Sequence, residues 1–283
     1  FIGTTAMDAG IPQATKDLSV PFQFNDIDSV RELFKEHPGQ IACLIMEPAK
    51  YDDPQDDFLH KTMDLCHENG AIFILDEMIT GFRWHNGGAQ KYYDIVPDLS
   101  AFGKAFGNGF AISALVGKRE LMEIGGLYHD KPRVFLLSTT HGAETHSLAA
   151  AIATMRVYQN EPVIATLNER GARLKHGVAE AIEKHGLNEF VQVVGKPCCL
   201  VLSTRGPDRR RSQWFRSLML QETIKRGVIM LSLVTSYSHS NDDIDATINA
   251  IDDALFVYRK ALDEGVEKYL IGRPSGVVYR KYN

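Results

Sequence analysis

The stretch Ala71-Ile-Phe-Ile-Leu-Asp-Glu77 decides the expected fold, because it is an unbroken apolar run that ends at two carboxylates. A similar run, Ile41-Ala-Cys-Leu-Ile-Met46, ends at Glu47. Strands that are apolar throughout are typical of sheets buried on both faces, and helices between such strands indicate a parallel sheet. We therefore predict an α/β fold with a mostly parallel sheet flanked by helices.

A helix is expected between these two strands. Leu59, Met63 and Cys66 recur at the spacing of one helical face, and Gly70 provides a stop. Further strands are predicted over residues 112–116 and 134–137.

The pattern changes after about residue 160. Helices are predicted through residues 167–182 and 214–224, and strands over 191–194 and 198–202. The last helix has apolar residues from Ile244 to Leu262 in steps of three and four, with Ser240 or Asn241 as its cap. We predict a large domain over residues 1–160 and a smaller C-terminal α+β domain over residues 161–283.

Composition restricts the function. The 283 residues are 44% hydrophobic and 24% charged, with a net charge of −5, which excludes a disordered chain and disfavours nucleic-acid binding. Arg209-Arg-Arg211 is interpreted as a solvated loop, and no apolar run is long enough to cross a membrane. The four cysteines, including Cys198-Cys199, indicate neither a disulfide framework nor a metal site, and we expect a cytoplasmic protein.

Two kinds of residue suggest chemistry at the strand ends. In open parallel sheets ligands bind outside the carboxyl ends of the strands, which makes Asp76 a site candidate and leaves Glu47 as either a site residue or a solvated carboxylate. Lys104 lies within the glycine-rich stretch Ala101-Phe-Gly-Lys-Ala-Phe-Gly-Asn-Gly109. It is either a solvated loop lysine or a Schiff-base lysine whose pKa is lowered by burial.

Several motifs, taken in order, resemble class III pyridoxal-phosphate aminotransferases, in particular members similar to glutamate-1-semialdehyde aminomutase. They are Asp76-Glu-Met-Ile-Thr-Gly-Phe-Arg83, Gly88-Ala-Gln90, Tyr92-Tyr93, Pro97-Asp-Leu99, Phe102-Gly-Lys-Ala-Phe-Gly-Asn-Gly109, Thr139-Thr-His-Gly-Ala-Glu144 and Tyr237-Ser-His-Ser-Asn-Asp-Asp-Ile244. The resemblance implies the fold type I architecture of PLP-dependent transferases, with residues 1–160 as the cofactor-binding domain.

The resemblance also implies roles for four residues. Lys104 is expected to hold pyridoxal 5′-phosphate as a Schiff base and then to move a proton, while Asp76 pairs with the pyridine nitrogen. Met78 is expected against the cofactor ring, where the family commonly has valine, although ordinary core packing stays open. Thr140 matches a threonine that binds the cofactor phosphate of the neighbouring subunit, which implies a homodimer with shared active sites, or it is a simple strand-end threonine.

The chain also departs from the family pattern. The residues after Glu47-Pro48 are less glycine-rich than in many class III enzymes, and those after Lys104 are less glycine-rich than in the aminomutase. Both differences make the aminomutase activity less favoured. The segment Phe1-Ile-Gly-Thr-Thr5 matches family positions just after an aromatic residue that stacks on the cofactor. We therefore expect that an N-terminal part of the family, with its phosphate-binding turn, is missing from this sequence.

The predicted function is a PLP-dependent aminotransferase. It moves an amino group from a small-molecule donor, with glutamate expected, to an aldehyde or keto acceptor, for which the C-terminal residues give a weak indication of a sugar. Arg83 is a candidate for binding the substrate carboxylate or, equally, for a buried ion pair. The alternatives are a 2,1-aminomutase and a catalytically silent interaction protein that keeps the fold; no nucleic-acid or membrane partner is expected.

Overall fold

The computed structural model describes residues 7–49, 52–132, 134, 142, 144–230 and 232–276. The chain divides into two compact units, with the boundary between Ile164 and Ala165. The assignment of one unit as the cofactor-binding domain stays a prediction.

The first unit contains a four-stranded sheet in the order β1-β2-β3-β4. Its strands are β1 (Cys43–Met46), β2 (Ile72–Asp76), β3 (Leu99–Phe102) and β4 (Ala114–Gly117). Its helices are α1 (Gln13–Lys16), α2 (Ile27–Glu36), α3 (Phe58–Glu68), α4 (Gly88–Tyr92), α5 (Arg119–Met122) and α6 (Thr145–Asn160). Strands β1, β2 and β3 are parallel, whereas β4 runs antiparallel to β3.

The two apolar runs form β1 and β2, and the helix predicted between them is α3. The predicted strand at 112–116 is shifted to 114–117. Strand β3 was not predicted, because its four residues include the buried Ser100 and show no apolar run. Of the predicted strand at 134–137, Val134 lies in a bend and the other residues lie outside the described part of the chain.

Helices α2 and α3 bury one face against the core of the first unit. Leu59 and Cys66 of the predicted α3 face are buried, and Met63 packs against them while partly exposed. Gly70, with a φ of +71°, follows the helix in a left-handed conformation that favours glycine. Burial is the largest effect on the Cys66 thiol, and it raises the thiol pKa to about 12.

Asp98 ties three elements of this unit together. Its buried carboxylate accepts hydrogen bonds from Lys118 Nζ at 2.6 Å, from the Phe73 N–H at 2.7 Å and from His67 Nε2 at 3.0 Å. Burial acts to raise the pKa of the Asp98 carboxyl, but these three hydrogen bonds outweigh burial and hold the pKa below its ordinary value.

The second unit packs helices against a two-stranded hairpin. Its elements are α7 (Val163–Lys184, which begins just before the boundary), β5 (Val191–Lys196), β6 (Cys199–Thr204), α8 (Gln213–Lys225) and α9 (Asn241–Glu264). Both predicted strands are present, but Cys198 lies in the turn, because Lys196 already pairs with Cys199. The loop Arg209–Arg211 is exposed, as predicted.

Helix α9 confirms the clearest helical pattern of the sequence. Ser240 is its N-cap, and Ser240 and Asp243 form a reciprocal capping box. Tyr258 lies at the centre of the core, fully buried, and its hydroxyl donates a hydrogen bond to the Arg205 carbonyl at 2.6 Å. Within the described residues, no helix is both long and apolar enough to span a membrane.

Candidate active site

The register of β2 and β3 determines where the two main candidates lie. Asp76, the last residue of β2, pairs with Ala101 of the parallel strand β3. Lys104 comes three residues after Ala101, just beyond the end of β3. Since β2 and β3 are parallel, Asp76 and Lys104 follow the same carboxyl edge of the sheet, where ligands bind in open α/β sheets.

The loop after β2 orients Asp76. Its Oδ1 accepts a hydrogen bond from the Met78 N–H at 3.0 Å, and its side chain is half-buried. Met78 in turn lies against Gly103, because a Cβ at Gly103 would be only 2.3 Å from Met78 Cε. Met78 therefore joins the loop of Asp76 to the residue before Lys104, and its predicted contact with a cofactor ring stays a prediction.

Lys104 begins a short 3₁₀ turn, Lys104–Phe106. Its φ of +47° is left-handed, and the Phe106 N–H closes the turn on the Gly103 carbonyl at 3.0 Å. The Lys104 side chain is exposed in this structure. The exposure agrees with the loop-lysine interpretation, and the burial that the Schiff-base interpretation included is not observed at this residue.

Glu77 shapes the loop that follows Asp76, and the sequence reasoning did not single it out. Its carboxylate is fully buried and accepts hydrogen bonds from Thr80 Oγ1 at 2.5 Å and from the N–H groups of Ala89 and Gln90 at 2.8 and 2.7 Å. It thus fixes the loop after Asp76 to the start of α4. The only signals in the sequence are a carboxylate beside Asp76 and a hydroxyl three residues later.

The other candidates have less defined surroundings. Glu47 directly follows β1 and is half-buried. The Nε atom of Arg83 is buried without a hydrogen-bond partner, so the structure does not provide the ion pair that we considered as an alternative at that atom. Thr140 lies outside the described residues. Among those that are described, no group of three or more His, Cys, Asp and Glu side chains is arranged to hold a metal ion.

The side chains present fit pyridoxal phosphate by their chemistry. A carboxylate pairs with a protonated pyridine nitrogen, and a lysine amine reacts with an aldehyde. Asp76 and Lys104 supply these two groups at one edge of the sheet, Asp76 at the end of β2 and Lys104 just beyond the end of β3. The hydrogen bond from the Met78 N–H keeps the Asp76 carboxylate in a defined orientation.

The fold is that of pyridoxal-phosphate-dependent transaminases of fold type I. The FumI protein of Sphingopyxis sp. MTA144, solved in its PLP internal aldimine form, is similar over 90% of this chain and 61% of its own, with a TM-score of 0.81 and 26% identity. An omega-transaminase from Sphaerobacter thermophilus is similar over 89% of this chain and 60% of its own, with a TM-score of 0.77 and 26% identity.

Residues 3–255 match the family model for class-III aminotransferases, and the chain belongs to that family. It is 30% identical over 262 residues to the glutamate-1-semialdehyde 2,1-aminomutase of Persephonella marina, covering 86% of this chain and 59% of the relative. It is 32% identical over 282 residues to the enzyme of the same name from Acetivibrio thermocellus. That match covers 92% of this chain and 63% of the relative. The chain thus spans about three-fifths of the length of these relatives.

Proposed function

We propose that this protein is a PLP-dependent aminotransferase that transfers an amino group from a small-molecule donor to an aldehyde or keto acceptor. The observation that carries the proposal is the pairing of Asp76 with Ala101, since it brings Asp76 and the turn of Lys104 to one edge of the sheet. Membership of the class-III aminotransferase family supports the same reaction type.

Pyridoxal phosphate, when bound, supplies the electron sink that amino transfer requires. The role of Asp76 is to keep the pyridine nitrogen protonated. An opposite charge at about 4–6 Å raises the pKa of such a nitrogen by about 1–3 units, which corresponds to about 1.4–4 kcal/mol. The Met78 N–H, which bonds to the Asp76 carboxylate, holds that charge in a fixed orientation.

Lys104 has two roles in this proposal. Its amine would hold the cofactor through the cofactor aldehyde, and once an amino donor has displaced it, the free amine would move a proton to and from the substrate carbon. Both roles require a neutral amine close to the reacting atoms. The exposed side chain leaves the amine accessible to a cofactor and to a substrate.

Assembly and substrates complete the proposal. Met78 lies against the cofactor ring, and Thr140 binds the phosphate held by the neighbouring subunit, so that the working form is a homodimer in the cytoplasm. Glutamate is the proposed amino donor, and a keto or aldehyde sugar is a candidate acceptor.

A second candidate is an intramolecular 2,1-aminomutase, which uses the same cofactor. The two relatives from P. marina and A. thermocellus carry that name and favour it. The residues that follow Glu47-Pro48 and Lys104 disfavour it, because they contain fewer glycines than the family patterns described above and lie after strands whose ends are proposed to shape the substrate site. Consumption of an external amino donor separates the two activities.

Borohydride reduction of the protein with bound pyridoxal phosphate tests the central assignment. We expect a stable adduct on Lys104, identified by peptide mass spectrometry, and no such adduct in Lys104→Ala. Lys91→Ala is the matched control, since Lys91 is also an exposed lysine of the first unit. An adduct that survives in Lys104→Ala would overturn the assignment and favour the silent-fold alternative.

A further inference from the structure

Phe82 has a backbone conformation that is unusual for a bulky residue. Its φ is +61°, in the left-handed region that glycine adopts freely and that other residues adopt only at a cost in free energy. Such a conformation persists only where the surroundings fix it, and it is found often at functional sites. Phe82 lies six residues after Asp76, in the loop that leaves the proposed site.

The ring of Phe82 is held by three other rings. It stacks on Phe106 with centroids 5.8 Å apart and planes 25° apart. It meets Phe102 edge-on at 6.1 Å and Tyr158 of α6 edge-on at 5.3 Å. Aromatic pairs at these distances and angles are favourable beyond the area that they bury.

The backbone next to Phe82 is also confined. A Cβ at Gly81 would lie 2.6 Å from Phe102 Cδ1 and 2.7 Å from the Glu77 carbonyl oxygen. The chain before Phe82 therefore lies directly on the end of β3, and only glycine fits there. This close approach restricts the backbone that carries the Phe82 ring.

Phe106 is the last residue of the turn that Lys104 begins. Lys104 is itself left-handed, with a φ of +47°, so its turn also needs outside contacts to keep its shape. The stacking of the Phe82 ring on Phe106 links this turn to the loop of Asp76. The residue with the strained backbone, Phe82, is thus also a residue whose ring packs against the Lys104 turn.

We propose that Phe82 is a positioning residue: by stacking on Phe106 it holds the Lys104 turn in the conformation that directs the lysine amine toward its substrate. This inference rests on the proposed function of Lys104. Phe82 would then act on the reaction of Lys104 with the amino donor through Phe106, and it would not itself touch the reacting atoms.

Hydrogen exchange in the cofactor-free protein tests the structural part. Phe82→Leu keeps apolar volume but removes the ring, and we expect the amides of residues 106–108 to exchange at least about tenfold faster. Phe82→Tyr keeps the ring and should exchange like the wild type. Phe106→Leu tests the same contact from the other side and should match Phe82→Leu.

The matched control is Phe24→Leu, which removes an edge-on ring contact with Phe58 at 5.4 Å in the same unit but outside the site. We expect it to leave exchange at residues 106–108 unchanged. Unchanged exchange at these amides in both Phe82→Leu and Phe106→Leu, or equal acceleration in Phe24→Leu, would overturn the inference.

A kinetic readout tests the functional part. With glutamate as donor, Phe82→Leu should lower the rate constant of the first half-reaction about tenfold or more and change the apparent affinity for glutamate less than about twofold. A changed affinity with an unchanged rate constant would contradict a positioning role. Failure of the proposed function is distinguishable, since it appears as the absence of the borohydride adduct in the wild type.

Discussion

Asp76 pairs with Ala101 across β2 and β3, and the same register places Lys104 just beyond the end of the neighbouring strand. The carboxylate and the amine thus depend on one local feature, the parallel pairing of two short strands. Asp76 is the last residue of β2, and Lys104 comes only two residues after the end of β3. The backbone of the sheet therefore determines the positions of both candidate residues.

Removing the charge of Asp76 tests its proposed role. In Asp76→Asn the pyridine nitrogen loses its ionic partner, and we expect the first half-reaction with glutamate to slow by about 10- to 1000-fold, which corresponds to about 1–3 pKa units. Single-turnover absorbance measurements give this rate. The borohydride adduct on Lys104 should still form, and a wild-type rate in Asp76→Asn would refute the assigned role.

Glu77 is expected to matter for stability. In Glu77→Gln the side-chain amide has one oxygen for three donors, so buried N–H groups at the start of α4 lose their acceptor, at a cost of about 1–3 kcal/mol. Urea unfolding measures the change. Asp64→Asn, on the exposed face of α3, is the control and should change stability by less than about 0.5 kcal/mol.

A second substitution probes the same contact from the backbone. Gly88→Ala would place a Cβ 2.6 Å from Glu77 Oε1, at a residue whose φ is +81°. Because both changes disturb one contact, their effects on the free energy of unfolding should not add in the double variant. Simple additivity would mean that the two residues act independently.

The lowered pKa of Asp98 predicts that the first unit loses stability at acid pH. Its pKa is lower in the folded chain than in the unfolded chain, so its stabilising contribution is complete above about pH 4 and is lost as the pH falls through the lower, folded-state value. Asp98→Asn should therefore lower stability by about 1.5–3 kcal/mol near pH 7 and much less near pH 2. Urea unfolding at both pH values checks this, and an equal loss at both would contradict it.

The raised pKa of Tyr258 predicts that the second unit loses stability at alkaline pH. Burial is the largest effect on the phenol and raises its pKa above the ordinary value. A raised pKa contributes stability below about pH 10 that is lost as the pH rises further. Tyr258→Phe should cost about 0.5–1.5 kcal/mol at neutral pH and should weaken the alkaline loss, as measured by urea unfolding between pH 7 and pH 11. An unchanged alkaline loss would show that other groups cause it.

Sequence patterns predicted the strands that contain an apolar run and the helices that bury one face, but the expected burial on both faces is not observed for β1, where Cys43 and Ile45 are exposed. Strands β1 and β2 follow from unbroken apolar runs, and α9 follows from its periodicity and the cap at Ser240. Strand β3 was missed because Ser100 interrupts its apolar residues, so it shows no apolar run. The antiparallel direction of β4 was missed because an apolar run has no direction.

The site was predictable only in part. Asp76 and Lys104 were singled out because charged residues stand out in apolar or glycine-rich segments, and the structure brings both to one edge of the sheet. Glu77 and Phe82 were not singled out, since what sets them apart is hydrogen bonds and ring contacts with residues that are 3 to 76 positions away, or a left-handed backbone, and neither leaves a periodic signal.

The most direct test of the proposed function is the visible absorbance spectrum of the purified protein with pyridoxal phosphate, recorded before and after addition of glutamate. We predict a band of lysine-bound cofactor that is absent in Lys104→Ala and present in Lys91→Ala, and that glutamate converts to the pyridoxamine form. A band that forms equally in Lys104→Ala, or that glutamate leaves unchanged, would contradict the account of this protein as an aminotransferase acting through Lys104.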